Sequence, residues 1–101
     1  MTPFKKAVIT AVSKIPPGKI TSFGRISRAV GGSAQSVGWV LTGLSIEESK
    51  GIPWHRVVNS QGYITALKLG PKGQLQKTLL LEEGYKLEGD KVVLLDDIWY
   101  E

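Results

Sequence analysis

The stretch SFGRISRAVGGSAQSVGWVLTGL, residues 22–44, decides the fold. Ser22 stands where a side-chain oxygen can cap a helix reaching to about Val30, and Phe23, Ile26 and Ala29 or Val30 share one face of it. Gly31-Gly32 then supplies a tight turn, and Ser33 is placed to cap a second helix ending near Leu44. In that helix Val37, Val40, Leu41 and Leu44 recur at the i, i+3, i+4, i+7 spacing of a core stripe. Two short helices joined by a glycine turn have the outline of a helix-turn-helix. Away from the core stripe lie Ala34 and Gly38, one turn apart and small enough to admit a minor groove or another helix. Gln35, Trp39 and Thr42 form a second outward stripe. Trp39 on it is expected to be partly exposed, against DNA, against a protein partner, or simply in water.

Working outward, residues 3–14 read as a helix with Pro3 in its first turn and Phe4, Ala7, Val8, Ala11, Val12 and Ile15 at helical spacing. Pro16-Pro17-Gly18 ends it, and residues 19–21 read as a short extended piece. Residues 45–52 read as a polar loop, and Asn59-Ser60-Gln61-Gly62 as a turn between Val57-Val58 and Tyr63-Ile64. Residues 65–73 read as a loop, and residues 74–83 as a helix with Leu75, Leu79 and Leu80 or Leu81 inward and Gly84 just past its end. Residues 85–87 and 92–95 predict a small closing hairpin, with Ile98, Trp99 and Tyr100 packing back. The whole is one mainly α domain over residues 1–101 with small β elements, of winged helix-turn-helix type.

With 42% hydrophobic residues the chain can bury a modest core, without disulfides because it has no cysteine. One histidine offers no useful metal set, and no cofactor motif is present. No signal-peptide pattern and no membrane-spanning apolar run occur, so a cytoplasmic protein without membrane partners is expected. Thirteen Lys and Arg against nine Asp and Glu give a net charge of +4. Residues 1–30 hold Lys5, Lys6, Lys14, Lys19, Arg25 and Arg28 and no acid, whereas Glu82, Glu83, Glu88, Asp90, Asp96, Asp97 and Glu101 gather toward the end. Such asymmetry suits a polyanion on one side, or a solvated surface. Lys5, Lys19, Arg25, Arg28 and Lys72 are candidate phosphate contacts.

The chemistry centres on Pro53-Trp54-His55-Arg56-Val57-Val58. Proline gives a rigid entry to an aromatic, a titratable ring and a cation, and Glu82 or Glu83 is an available carboxylate for His55. A second reading has Trp54 filling the core and His55 making one buried hydrogen bond. A serine hydrolase finds no Gly-x-Ser-x-Gly here.

Together with Ile15-Pro16-x-Gly18-Lys19-Ile20-Thr21-Ser22-Phe23-Gly24, Val37-Gly38 and Leu80-Leu81-x-Glu83-Gly84, that run resembles the C-terminal domain of O6-alkylguanine-DNA alkyltransferases over nearly the whole chain. Trp54 stands where the family has its nucleophilic cysteine, as in the alkyltransferase-like subset. The resemblance implies His55 and Glu83 as a proton relay without a thiol to serve, so no catalytic residue. It implies a lesion pocket at Phe23, Trp54, Val57, Leu67 and Lys68, with Tyr63 at its edge, and DNA contacts from Ser33, Ala34, Gln35, Gly38, Trp39, Arg25 and Arg28. Phe23 replaces a tyrosine of the family, and Gln35 replaces the arginine that enters the vacated base stack. Arg56 is expected to be a structural cation. The implied partner is double-stranded DNA containing O6-alkylguanine, bound by a monomer that flips the lesion, leaves the alkyl group in place and hands over to nucleotide excision repair. In a bacterium the protein would sit on the nucleoid when bound to DNA. An alkyltransferase with another nucleophile, or a sequence-specific transcriptional regulator, is the alternative.

Overall fold

A computed structural model describes residues 2–64 and 71–100. Helix α1 spans Pro3–Ser13, with Thr2 Oγ1 accepting from Lys5 N at 3.1 Å. Strand β1 is only Thr21–Ser22, and Ser22 then caps helix α2 (Phe23–Val30) by accepting from Arg25 N at 3.1 Å. Helix α3 (Ala34–Thr42) starts at Ser33, whose Oγ accepts from Ser36 N at 3.1 Å. Both expected serine caps are therefore in place, and each satisfies a donor that a helix start leaves without a partner.

The glycine turn between α2 and α3 is conformationally demanding. Gly31 has φ 88° and ψ 177°, a region that only glycine adopts without strain. A β-carbon on Gly32, at φ 79°, would approach the Phe4 ring to 2.9 Å. Gly31→Ala, whose β-carbon would meet nothing within 4 Å, isolates the backbone effect. It should lower stability by ~1–3 kcal/mol, measurable as a shifted urea midpoint with unchanged slope.

Residues 45–52 are not wholly a loop. Helix α4 (Ile46–Ser49) is held by a capping box in which Glu48 N donates to Ser45 Oγ at 3.1 Å and Ser45 N donates to Glu48 at 3.0 Å. Lys5 Nζ donates to the other Glu48 oxygen at 2.8 Å and, with Ser45, holds that carboxyl down at about 2. A 3-10 turn at Trp54–Arg56 follows, then strand β2, Val57–Val58. Strands β1 and β2 pair in parallel, Thr21 opposite Val57 and Ser22 opposite Val58.

Helix α5 covers Pro71–Glu82, one turn longer at its start than the sequence suggests. Proline is well suited to a first helical position, where its missing N–H is no loss. The helix ends in a Schellman motif. Gly84 N donates to Leu81 O at 3.0 Å and Tyr85 N to Leu80 O at 3.1 Å, with Gly84 at φ 90°. Strands β3 (Leu87–Glu88) and β4 (Lys91–Val92) form the closing hairpin, shorter than expected. Ile20 pairs with the 98–100 segment through Ile20 N to Ile98 O and Tyr100 N to Ile20 O, both 2.8 Å.

Two apolar clusters result. The first joins Val8, Val12 and Ile15 of the first helix region to Ile26, Val37, Leu41, Leu44, Trp54 and Val57. The second gathers Ile20, Val58, Ile64, Leu80, Tyr85, Val92 and Ile98. Strand β2 straddles both, because successive side chains of a strand point to opposite sides. Leu75 and Leu81 remain about half exposed, so only Leu79 and Leu80 of the expected α5 face turn inward.

Candidate nucleic-acid interface

The segment from Trp54 to Val57 is fixed from three directions. Glu83 directly follows α5, where the Schellman turn sets its direction, and its carboxylate meets Arg56 in a two-pronged pair: Nε to Oε1 at 3.0 Å and Nη2 to Oε2 at 2.5 Å. The remaining Arg56 nitrogen, Nη1, donates to Ile15 O at 2.7 Å, beyond the end of α1. Arg56 is thus the structural cation expected, tying three elements together. Its hydrogen bonds hold the Glu83 carboxyl below the usual carboxylate range, and Glu83 in turn raises the guanidinium.

His55 Nε2 lies 2.8 Å from Glu83 Oε1, the same oxygen that accepts from Arg56 Nε. A carboxylate oxygen can only accept, so Nε2 carries the proton that joins the pair. Nδ1 is buried and makes no hydrogen bond within the described residues. The third hold comes from Gln76, 3% exposed, whose Nε2 donates to His55 O at 3.1 Å and Val57 O at 2.9 Å. Gln76 is a buried functional side chain not expected from the sequence. Its position four residues before Leu80, on the same face, was the available signal.

Trp54 is 7% exposed and belongs to the first core cluster. Its ring meets the His55 ring edge-on with centroids 6.3 Å apart, and Lys72 Nζ lies 5.4 Å from the indole centroid. Lys72 also donates to Leu41 O at 3.0 Å and Thr42 O at 3.1 Å, capping the end of α3. Burial lowers its pKa. It is committed to the fold and is not the free phosphate ligand expected. Lys5 is engaged by Glu48, and Lys19 Nζ donates to Asp97 O. Arg25 stacks over the Trp99 ring at 4.7 Å, and Arg28, exposed, leans on Gly24 O at 3.4 Å.

Of the expected pocket residues, Val57 turns its side chain into the core at 1% exposure and offers only backbone. Phe23 is half-buried at the start of α2, packed against the first cluster. Leu67 and Lys68 lie outside the described residues. A groove of about 630 Å³ borders Trp54, His55 and Arg56 and is walled by Ile52, Pro53, Leu75 and Leu79. Neither Phe23 nor Val57 lines it. Ser33, Ala34 and Gln35 are exposed together at the start of α3, Gly38 is partly buried, and Trp39 is exposed. The chain carries no acid between residues 1 and 46.

A helix pair with an acid-free front, locked to a Pro-Trp-His-Arg turn whose histidine bonds a glutamate, defines a domain of the DNA-repair alkyltransferase class. The chain belongs to that family: the 6-O-methylguanine DNA methyltransferase, DNA binding domain, matches residues 3–85. Alkyltransferase-like protein 1 of Schizosaccharomyces pombe is 39% identical over 89 residues, 86% of this chain and 81% of that protein. The DNA base-flipping protein of Escherichia coli is 39% identical over 88 residues, which cover 85% of this chain and 65% of the relative. The fold matches the crystal structure of S. pombe Atl1 in complex with damaged DNA containing O6-carboxymethylguanine. The TM-score is 0.84 at 34% identity, over 100% of this chain and 97% of the other.

Proposed function

We propose that this chain binds O6-alkylguanine in duplex DNA, turns the damaged nucleotide out of the helix, and leaves the alkyl group on it. The observation that carries this reading is the full-length match to a fold seen holding O6-carboxymethylguanine DNA, in a chain that contains no cysteine. Alkyl transfer needs a nucleophile that ends the reaction carrying the alkyl group. At the family's thiol position stands Trp54, whose indole is neither ionised nor free to move. The His55–Glu83 pair has no thiol proton to accept there, and its geometry serves the packing of the turn.

In this reading Ser33, Ala34 and Gly38 bring α3 close to the minor groove, while Arg25 and Arg28 flank it with positive charge. Phe23 crowds the backbone beside the lesion, and Gln35 enters where the base leaves. Flipping costs a few kcal/mol, less for a lesion that already pairs badly, so damaged guanine is favoured by a difference in opening energy. A bound, opened lesion is a mark for nucleotide excision repair, and a monomer acting in the cytoplasm on chromosomal DNA suffices for it.

Two duplexes differing by a single O6-methyl group test the reading. Tighter binding to the methylated duplex is expected at fixed salt, with a labelled methyl group remaining on the DNA. Equal affinity for the two, or label recovered stoichiometrically on the protein, would overturn it.

A further inference from the structure

Trp39 is the largest side chain on the outward stripe of α3, and the fold makes no use of it. It is 65% exposed, and among the described residues its indole stacks on no ring and no cation. Gln35, Trp39 and Thr42 follow one another at i, i+4 and i+7, opposite the buried Val37 and Leu41. Helix α3 itself carries no charge, and the preceding chain carries no acid; of its six cations Lys5 is paired with Glu48, and the other five have no carboxylate partner among the described residues. What meets this stripe is therefore drawn in by its surroundings as a polyanion, and is held at α3 by shape and stacking.

In the lesion-binding reading Gln35 stands nearest the vacated base, where it brings no charge and less flat area than an arginine. Four residues along a helix advance by about 6 Å, and bases along one strand are spaced by about 3.4 Å. An aromatic at position 39 thus falls within two base steps of whatever Gln35 touches. Gly38 beside it adds no side chain, and the Phe23 ring lies 3.9 Å from where a β-carbon there would sit, so α3 is seated directly on Phe23.

We propose that Trp39 wedges from the minor groove into the base step flanking the flipped guanine, and by resting on the face of the unstacked base keeps the duplex open. The proposal rests on the lesion-binding reading above. Trp39 would be a positioning residue: it acts on the neighbouring stack and not on the alkyl group. Apolar and aromatic side chains pressed into a minor-groove step unstack it, and base–aromatic stacking tolerates any sequence because every base has a flat face.

The experiment compares wild type, Trp39→Ala and Trp39→Phe on duplexes with and without one O6-methylguanine, with 2-aminopurine next to the lesion as a reporter of unstacking. Because Trp39 is exposed, circular dichroism should show all three equally folded. Wild type is expected to raise 2-aminopurine fluorescence on the damaged duplex. Trp39→Ala should lose that rise and bind the damaged duplex roughly tenfold more weakly, with a much smaller change on undamaged DNA, and Trp39→Phe should recover most of both. Equal weakening on the two duplexes, or no weakening, overturns the assignment while leaving lesion binding intact. Wild type failing to prefer the damaged duplex overturns the lesion-binding reading itself, a distinguishable result.

Discussion

Trp54→Ala is expected to lower stability by ~3–5 kcal/mol, the range for removing a large aromatic from a core. The indole is 7% exposed and belongs to the first apolar cluster, with the α1 valines, Ile26 and Leu41 among its members. It also carries the edge contact to His55 and the Lys72 ammonium over its face. A domain of 101 residues has ~5–15 kcal/mol in total, so this substitution takes a large share of it. Trp54→Phe, keeping most of the volume, should lose much less. Urea midpoints of the two variants check this, and a loss below ~1 kcal/mol for alanine would show that Trp54 is not part of the core. The practical result concerns binding: an alanine at this position weakens lesion recognition partly by loosening the domain. Trp54→Phe is therefore the informative variant for the lesion pocket.

The second large effect is expected from Glu83→Gln. It leaves the Arg56 guanidinium, 9% exposed, without its counter-charge. Breaking a buried ion pair costs ~3–5 kcal/mol, and the lower end applies because the Glu83 side chain is 26% exposed and water screens part of the loss. The pH dependence has a definite sign. Arg56 and His55 hold the Glu83 carboxyl below its ordinary value, Arg56 most strongly. Its contribution is then fully present above the unfolded-state value of about 4.3, and it is lost as pH falls through the depressed folded-state value. The gap between wild type and Glu83→Gln should accordingly be widest near neutrality and shrink below pH ~4. Glu48 titrates in the same acid region, held down to about 2. It is common to both proteins and shares no hydrogen-bond partner with Glu83, so it cancels in the difference. An undiminished gap at pH ~3 would mean that the carboxylate charge is not what stabilises Arg56.

Much of this was legible because local chemistry and global fold agree. The serine caps and the glycine turn stand where expected, and Val37, Leu41 and Leu44 of the stripe are buried, although α3 ends at Thr42 and leaves Leu44 just beyond it. The His55–Glu83 contact and the structural role of Arg56 were also legible, since a buried cation needs a carboxylate and one stood at the matching family position. The misreadings have local causes too. Ser45 and Glu48 carry a complete capping-box signature, yet the polar residues around them lack the apolar period that marks a helix. Pro71 and Gly73 look like loop residues, but proline is at home where α5 begins. Leu75, expected inward, is half exposed, while Gln76 beside it is buried because two carbonyls of the Trp54 turn need a donor. Charge counting cannot tell which lysines are spent. Lys5 and Lys72 look like phosphate ligands in the sequence and are occupied by Glu48 and by the α3 carbonyls.

The parallel pairing of Thr21-Ser22 with Val57-Val58 is only two residues long, yet Ser22 is at once a strand residue and the cap of α2. The first helix of the DNA-reading pair and the tryptophan turn are therefore riveted at a single joint, like the two jaws of a fixed gauge. A gauge of this kind needs no closing motion to take a measurement. In the proposed lesion-binding reading, laying α3 in the groove already sets the distance at which the tryptophan turn meets the strand, so docking and inspection become one event, and a nucleotide passes or is retained according to its own readiness to leave the stack.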